Sequence, residues 1–181
     1  MRAIPRILAE RPHAEILIIG DEGKAPYGLR APKGETWKSV FYKEITDKTD
    51  VDRVHFTGAL TFHDYLAALQ ISRTHVYLTY PFVLSWSLIE AMSCGCLVIA
   101  SDTAPVRDVV NSGNGVLFPF FSIERLAENI VDALANPDRY AALRKKARDD
   151  VAIKYDMRRK CVPEFLAMIG REPVNSWLSK V

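Results

Sequence analysis

The sequence predicts an α/β protein built on a doubly wound parallel sheet, and three observations support that prediction. Short runs rich in Val, Ile and Leu alternate along the chain with longer segments of helical period. Two of these runs, "ILII" and "LVIA", are almost continuously apolar, as expected for strands that are buried on both faces. Regular alternation of strand and helix is typical of a parallel sheet with helices on both sides.

Five segments have the composition of strands. In chain order they are "EILIIG" ending at Gly20, "RVHFTG" ending at Gly58, "HVYLTY" ending at Tyr80, "CLVIAS" ending at Ser101 and "GVLF" ending at Phe118. The carboxyl ends of parallel strands meet at one edge, and ligands of open parallel sheets bind outside that edge.

Helices are predicted between these strands and at both ends of the chain. The opening segment "MRAIPRILAERP" has helical spacing, although no strand precedes it. Thr61 stands three residues before an aspartate and resembles a capping box for "TFHDYLAALQIS". Ser122 is the expected cap of a helix that stops before Pro137. Two C-terminal helices, roughly 137–154 and 157–169, follow without an intervening strand.

Composition limits the classes of function. One globular domain over residues 1–181 is the default for a chain with 49% hydrophobic and 25% charged residues. A net charge of +2 gives no basis for nucleic-acid binding. Three cysteines without a nearby histidine fit buried thiols in a reducing compartment better than a metal site or a disulfide framework.

The location of the protein is predicted from its apolar runs. None approaches the roughly 18 residues that a membrane-spanning helix needs, and Met1 begins no charged-then-apolar leader. The sequence therefore predicts a cytoplasmic protein with no transmembrane segment. Peripheral attachment to the inner membrane face is the alternative.

The segment "YPFVLSWSLIEAMSCGCLVIASD" has the features of a ligand site. A proline ends the preceding strand, and Ser85, Trp86 and Ser87 lead into a helix predicted to reach Cys94 and to be capped at Gly95. The N-terminus of such a helix offers free N–H groups and a partial positive charge, which suit a phosphate.

Glu90 is the one acid on this apolar helix. It lies about one turn after Trp86, so we expect it to face the same edge of the sheet. A carboxylate there can accept hydrogen bonds from two vicinal hydroxyls, as a ribose offers, whereas an unpaired buried acid is costly. The alternative is that Glu90 caps neighbouring backbone or pairs with an arginine, and the residues alone favour neither interpretation.

The segment resembles the donor-binding motif of the retaining glycosyltransferases of family 4, also called group 1, which have the two-domain GT-B architecture. The family motif reads "P-S-x-x-E-G-F-G-L-x-x-x-E-A-M-A-x-G-x-P-V-V-A-S", and "SWSLIEAMSCGCLVIASD" is similar to it through Glu90 and on to Ser101. "RVHFTGAL" and "APVRDVVNSGNGVLF" resemble two further family motifs in the same order. The resemblance implies a Rossmann-like C-terminal domain that binds a nucleotide sugar.

The resemblance also implies roles for individual residues. Glu90 would bind the ribose hydroxyls of a nucleoside diphosphate sugar, and backbone N–H groups at the start of the helix would hold the diphosphate and the sugar. Those N–H groups belong to Ser85, Trp86, Ser87 and Leu88. Thr57 and Gly58 would line the base, and Gly20 would let the chain approach the ligand closely. The simpler alternatives are a surface threonine, two turn glycines and a core Trp86.

Phe82 marks a departure from the family motif. The first of the family's two glutamates should stand eight positions before Glu90, and Phe82 occupies that position. The usual carboxylate contact to the donor sugar is therefore absent. We expect a subfamily that reads its sugar differently, with altered donor handling as the alternative.

The start of the chain is the second departure. The family's domain begins with a strand and a loop carrying an Arg and a Lys that bind the diphosphate, and the helix that follows resembles residues 2–11. In the order 3-2-1-4-5-6 the absent strand is central, between "EILIIG" and "HVYLTY". We therefore expect a C-terminal part of a longer enzyme, through a shortened reading frame or a truncation, without the N-terminal acceptor domain. An added N-terminal helix is the alternative.

The open strand edges have a predicted consequence. Unpaired edges are costly when buried and associate with other strands when exposed. Either the two strands pair with each other, or they recruit a separately encoded N-terminal domain or a second copy of the chain.

The function implied is retaining transfer of a sugar from a nucleoside diphosphate sugar to an unknown acceptor, without a metal or another cofactor. We expect the chain to be silent or weak on its own. Two alternatives remain open: an enzyme like the nucleotide-sugar 2-epimerases, and a non-catalytic module that binds a nucleotide sugar or completes a partner.

Overall fold

The computed structural model describes residues 1–21, 29–80 and 83–170. The strands are β1 (Ile16–Ile19), β2 (Val54–Gly58), β3 (Thr74–Tyr77), β4 (Leu97–Ser101) and β5 (Val116–Phe118). The α-helices are α1 (Ile4–Glu10), α2 (Trp37–Lys43), α3 (Phe62–Ile71), α4 (Trp86–Ser93), α5 (Ala104–Arg107), α6 (Ile123–Ala135), α7 (Ala141–Lys154) and α8 (Val162–Met168). Short 3₁₀ turns at Val51–Arg53 and Pro137–Tyr140 precede β2 and α7, and a π-helical turn at Met157–Cys161 precedes α8.

The strands form two parallel sheets, which confirms the α/β class. β1 pairs with β2, and β4 lies between β3 and β5. This arrangement is the predicted doubly wound order with a gap at the position of the central strand. One predicted alternative is wrong, because β1 and β3 do not pair: across the described residues no backbone hydrogen bond joins the two sheets.

The strand β4 lies at the centre of the core. All five of its residues are buried. Val98 packs in one cluster with Leu88 of α4, and Ile99 packs in another with Ile130 of α6, so helices cover both faces. β1 differs from the prediction of burial on both faces, because Leu17 is 40% exposed beside the unpaired edge of its strand.

Helix α1 contacts the core on both sides of the gap. Ile4 and Leu8 pack with Val54 of β2, whereas Ile7 packs in the cluster that contains Ile99 of β4. The opening helix is therefore part of the hydrophobic core and connects the two sheets by side-chain packing.

The predicted caps Ser122 and Thr61 are confirmed, but the capping box expected at Thr61 is incomplete, because the Asp64 carboxylate accepts from the Thr61 hydroxyl and, among the described residues, not from the Thr61 N–H. The side chain of Ser122 accepts a hydrogen bond from the third residue of α6, and Thr61 does the same for α3. Gly95 ends α4 with φ +77, a left-handed conformation that favours glycine. The N–H of Gly95 bonds to the carbonyl of Met92, and the next N–H bonds to the carbonyl of Ala91, which is the Schellman pattern.

The three cysteines are free thiols, but only one of them is buried as predicted. Cys96 is buried and its thiol donates to the carbonyl of Leu69 at 3.0 Å. Burial raises the pKa of Cys96 to about 11. Cys94 and Cys161 are half-buried, and burial also raises the pKa of Cys94.

Candidate functional site

A cleft of about 1520 Å³ lies between the edges of β1 and β3. Residues of helices α1, α3 and α6 contribute its apolar lining. Ser85 and Ser87, at the start of α4, also line it. The cleft therefore connects the gap between the sheets with the predicted anion-binding helix terminus.

The N-terminus of α4 is held by Ser85, whose backbone is extended. Its hydroxyl oxygen accepts a hydrogen bond from the N–H of Ser87 at 3.3 Å and lies 3.1 Å from the Ser87 hydroxyl. The N–H of Leu88 donates to the Ser85 carbonyl at 3.2 Å. Of the four N–H groups predicted to hold a diphosphate, those of Ser87 and Leu88 are thus engaged within the turn, and that of Ser85 donates to the Tyr77 hydroxyl. An anion must displace the Ser85 hydroxyl to reach the N–H of Ser87.

Two buried hydroxyl groups that the sequence reasoning missed hold the chain near this terminus. The Tyr77 hydroxyl accepts a hydrogen bond from the Ser85 N–H at 2.8 Å. The Ser101 hydroxyl accepts from the Thr79 N–H at 3.1 Å and donates to the Thr79 carbonyl at 3.2 Å. These bonds hold the backbone at residues 79 and 85. The available signal was a polar Ser101 at the end of an otherwise apolar predicted strand.

Glu90 lies in the second turn of α4 and is half-buried. Burial and, next, the Glu90 carboxylate raise the pKa of Tyr65 on α3, whose buried hydroxyl has no well-formed hydrogen bond in the described part of the chain. Glu90 is absent from the residues that line the cleft. Its carboxylate makes no arginine pair and no backbone cap among residues 1–21, 29–80 and 83–170, so neither simpler alternative is realised there.

The structure brings Gly20, Gly58 and Thr57 together at the carboxyl end of the smaller sheet. The N–H of Gly20 donates to the Gly58 carbonyl at 3.1 Å, and the Thr57 hydroxyl donates to the same oxygen at 3.1 Å. Gly58 has φ +67, which explains the glycine at this position. Gly20 directly follows β1, and Thr57 and Gly58 are the last residues of β2, whereas Ser85 and Ser87 follow β3.

The remaining predicted site residues differ in exposure. Trp86 is 72% exposed, so the alternative of a core tryptophan is wrong. Leu88 is fully buried, which leaves only its backbone for a ligand role. Phe82 lies outside the described residues.

Three aromatic side chains cluster beyond the ends of β3 and β5. The rings of Tyr80 and Phe120 meet edge to face at 5.1 Å, and Phe120 meets Phe121 in the same way at 4.9 Å. Phe121 is 82% exposed. The cluster adds an apolar surface to the carboxyl edge of the larger sheet, and the sequence reasoning did not identify it.

Charged groups at this edge are partly engaged with each other. Arg107 donates to Asp102, directly after β4, at 2.6 Å, and this bond lowers the pKa of Asp102. The described ranges contain no group of three or more His, Cys, Asp and Glu side chains placed to hold a metal ion. Nor do they contain a helix that is both long and apolar enough to cross a bilayer.

A parallel α/β domain with a helix N-terminus at the carboxyl edge of its strands has the architecture of the nucleotide-binding α/β proteins. Comparison with known families is more specific. Residues 1–150 match the sequence profile of the group 1 glycosyl transferases, and the chain belongs to that family.

Individual relatives show the same family and fold. The chain is 26% identical over 162 residues to a GDP-mannose-dependent monoacylated alpha-(1-6)-phosphatidylinositol monomannoside mannosyltransferase of Corynebacterium glutamicum, covering 86% of this chain and 39% of that protein. Its fold is similar to that of Anabaena HepE in complex with UDP-glucose, with a TM-score of 0.77, 20% identity, and coverage of 93% of this chain and 44% of HepE.

A third similarity is to the C-terminal domain of the group 1 glycosyl transferase LpcC of Francisella tularensis. The TM-score is 0.66 at 19% identity, and the match covers 84% of this chain and 75% of that domain. This chain therefore spans less than half of the mannosyltransferase and of HepE, and most of an isolated C-terminal domain.

Proposed function

We propose that this chain is the donor-binding part of a retaining glycosyltransferase, which takes a sugar from a nucleoside diphosphate sugar. Family membership supports glycosyl transfer. One similar structure holds UDP-glucose, and one relative is named as GDP-mannose-dependent, which supports a nucleotide-sugar donor without fixing its base or sugar. The acceptor would be bound by polypeptide with no counterpart in these 181 residues.

The observation that carries the proposal is the position of the α4 N-terminus. Ser85 and Ser87 open into the cleft at the carboxyl edge, where helix N–H groups and the helix dipole favour a diphosphate. The Ser85 hydroxyl rotates away when the diphosphate binds, which frees the Ser87 N–H and leaves two hydroxyls as further donors.

In this proposal the Glu90 carboxylate accepts hydrogen bonds from the ribose hydroxyls. This carboxylate is half-buried and interacts with the buried Tyr65 hydroxyl, so the ribose hydroxyls would replace that interaction. In this proposal the Glu90 side chain rotates away from α3 and toward the carboxyl edge of the strands, which brings its carboxylate to the ligand. A charge-assisted bond of this kind contributes about 1.5–3 kcal/mol.

In the complete enzyme the chemical contribution of this part is electrostatic. Retaining transfer develops negative charge on the departing diphosphate, and preorganised N–H donors stabilise that charge without reorganisation. The rest of the rate enhancement comes from proximity, because the complete enzyme aligns donor and acceptor in one cleft. We expect little or no transfer by this chain alone.

Calorimetry with UDP and GDP tests the donor role. The comparison is between the wild-type chain, Glu90→Gln and the control Glu124→Gln, which changes an exposed glutamate in the first turn of α6. The bond energy above predicts a loss of affinity of about 10- to 100-fold for Glu90→Gln, since about 1.4 kcal/mol is tenfold. Equal affinities for all three proteins would remove the role assigned to Glu90.

A further inference from the structure

Tyr77 joins the core of the larger sheet to the start of α4. It is the last residue of β3 and is 6% exposed. Its ring belongs to the cluster that contains Leu88 and Met92 of α4 and Val98 of β4. Its hydroxyl oxygen accepts a hydrogen bond from the N–H of Ser85 at 2.8 Å. The ring is therefore held by apolar packing, while its polar end binds the backbone outside the core.

The bond acts on the residue that caps α4. Ser85 has an extended backbone and precedes the first helical residue, Trp86. Because the Ser85 N–H donates to Tyr77, that N–H is not available to a ligand. The next N–H groups, those of Trp86 and Ser87, are among those that an α-helix leaves without a carbonyl partner. These two are the donors that the helix terminus can offer to an anion, once the Ser85 hydroxyl has left the N–H of Ser87.

The connection from β3 to α4 is attached to the core near both of its ends. At one end, the Ser101 hydroxyl bonds to the N–H and to the carbonyl of Thr79. At the other end, the Tyr77 hydroxyl holds Ser85. Removal of the Tyr77 hydroxyl leaves the attachment at Thr79 and releases the one at Ser85, which is next to the helical N–H groups.

We infer that Tyr77 is a positioning residue for the anion site at the start of α4. It holds Ser85, so that the N–H groups of Trp86 and Ser87 have their orientation before the ligand arrives. Donors that are ordered in advance bind without a further ordering cost. The inference rests on the proposed function, because it takes the diphosphate of a nucleotide sugar as the ligand of this helix terminus.

The opposite role makes the opposite prediction. A hydroxyl that occupies the Ser85 N–H would compete with an anion for that donor, if the anion bound there. Positioning predicts weaker binding of the anion when the Tyr77 hydroxyl is removed, and competition predicts tighter binding. The burial of Tyr77 favours positioning, because a side chain packed in the core cannot move aside without disturbing its neighbours.

Calorimetry with UDP and GDP tests the inference on the wild-type chain, Tyr77→Phe and the control Tyr140→Phe. Tyr77→Phe removes the hydroxyl and keeps the ring. Tyr140→Phe makes the same chemical change at a hydroxyl that bonds to Asp132 of α6, and Tyr140 is not among the described residues that line the cleft. We expect Tyr77→Phe to weaken nucleotide binding about fivefold, the factor that corresponds to one hydrogen bond between neutral groups. Tyr140→Phe should bind like the wild type.

Amide exchange followed by NMR separates positioning from a general loss of stability. The Ser85 amide should exchange about tenfold faster in Tyr77→Phe than in the wild type or in Tyr140→Phe, because only Tyr77→Phe removes its acceptor. When UDP is added to the wild type, the amide signals of Trp86 and Ser87 should shift more than that of Ser85. A larger shift at Ser85 would show that the ligand takes the Ser85 N–H, against the inference. This measurement on the wild type decides even if Tyr77→Phe does not fold.

The outcomes separate the role of Tyr77 from the proposed function. If the wild type binds neither UDP nor GDP, the proposed donor role is wrong and the inference is overturned with it. If the wild type binds a nucleotide and Tyr77→Phe binds it as tightly or more tightly, the donor role stands and only the positioning role of Tyr77 is overturned.

Discussion

Replacing Ser101 by alanine should destabilise the fold and loosen the segment at Thr79, which leads from β3 toward the candidate site. The Ser101 side chain is fully buried at the end of β4, and its hydroxyl makes two hydrogen bonds to the backbone of Thr79. Each bond contributes about 1 kcal/mol net, so Ser101→Ala should cost about 2 kcal/mol. A chain of this size should then melt about 4–8 °C lower.

The matched control is Ser93→Ala, at the exposed C-terminal residue of α4. An exposed serine away from a cap should change stability by less than about 0.5 kcal/mol. Urea denaturation followed by circular dichroism gives the free energy of unfolding for the wild type and both variants. If Ser101→Ala and Ser93→Ala had the same midpoint, the two bonds to Thr79 would not stabilise the native chain.

Two further predictions concern stability. Gly95→Ala places a non-glycine residue in a left-handed conformation, which costs about 1–2 kcal/mol. The lower conformational entropy of the unfolded variant offsets about 0.4–1 kcal/mol of that cost, so we expect the free energy of unfolding in urea to fall by about 1 kcal/mol. A variant as stable as the wild type would contradict the strained cap. Burial lowers the pKa of His75 from 6.5, so the unfolded chain takes up a proton that the folded chain resists. Stability should therefore fall as the pH drops below about 6.5, and His75→Gln should reduce that loss while the exposed His63→Gln does not.

The strands were predictable where burial is complete. The run "LVIAS" coincides with β4. Both faces of this strand are covered, so almost all of its residues are apolar and the strand can be recognised in the sequence. β3 was predicted to reach Tyr80 but ends at Tyr77, since the chain beyond it is held by the Ser101 side chain rather than by a backbone ladder. α2 was missed because it buries no residue and so has no apolar stripe; it is held by the Thr36 cap and by stacking of Trp37 on Phe41.

The site was predictable where its signals are local. The start of α4 near Ser85 and its stop at Gly95 each depend on neighbouring residues, and both were predicted from the sequence, although Ser85 was not identified as the cap. The bond between Ser85 and Tyr77 was not, because it depends on how the chain returns after β3. The proximity of Glu90 to Tyr65 was not predicted, because it depends on where α3 lies relative to α4 in the folded chain.

Helix α1 packs against both sheets at once. Ile4 and Leu8 pack on one sheet and Ile7 packs in the core of the other, and no backbone ladder crosses between them in the described ranges. We therefore expect larger or smaller aliphatic side chains on α1 to alter the width of the opening between the sheets, although α1 lies far along the chain from α4.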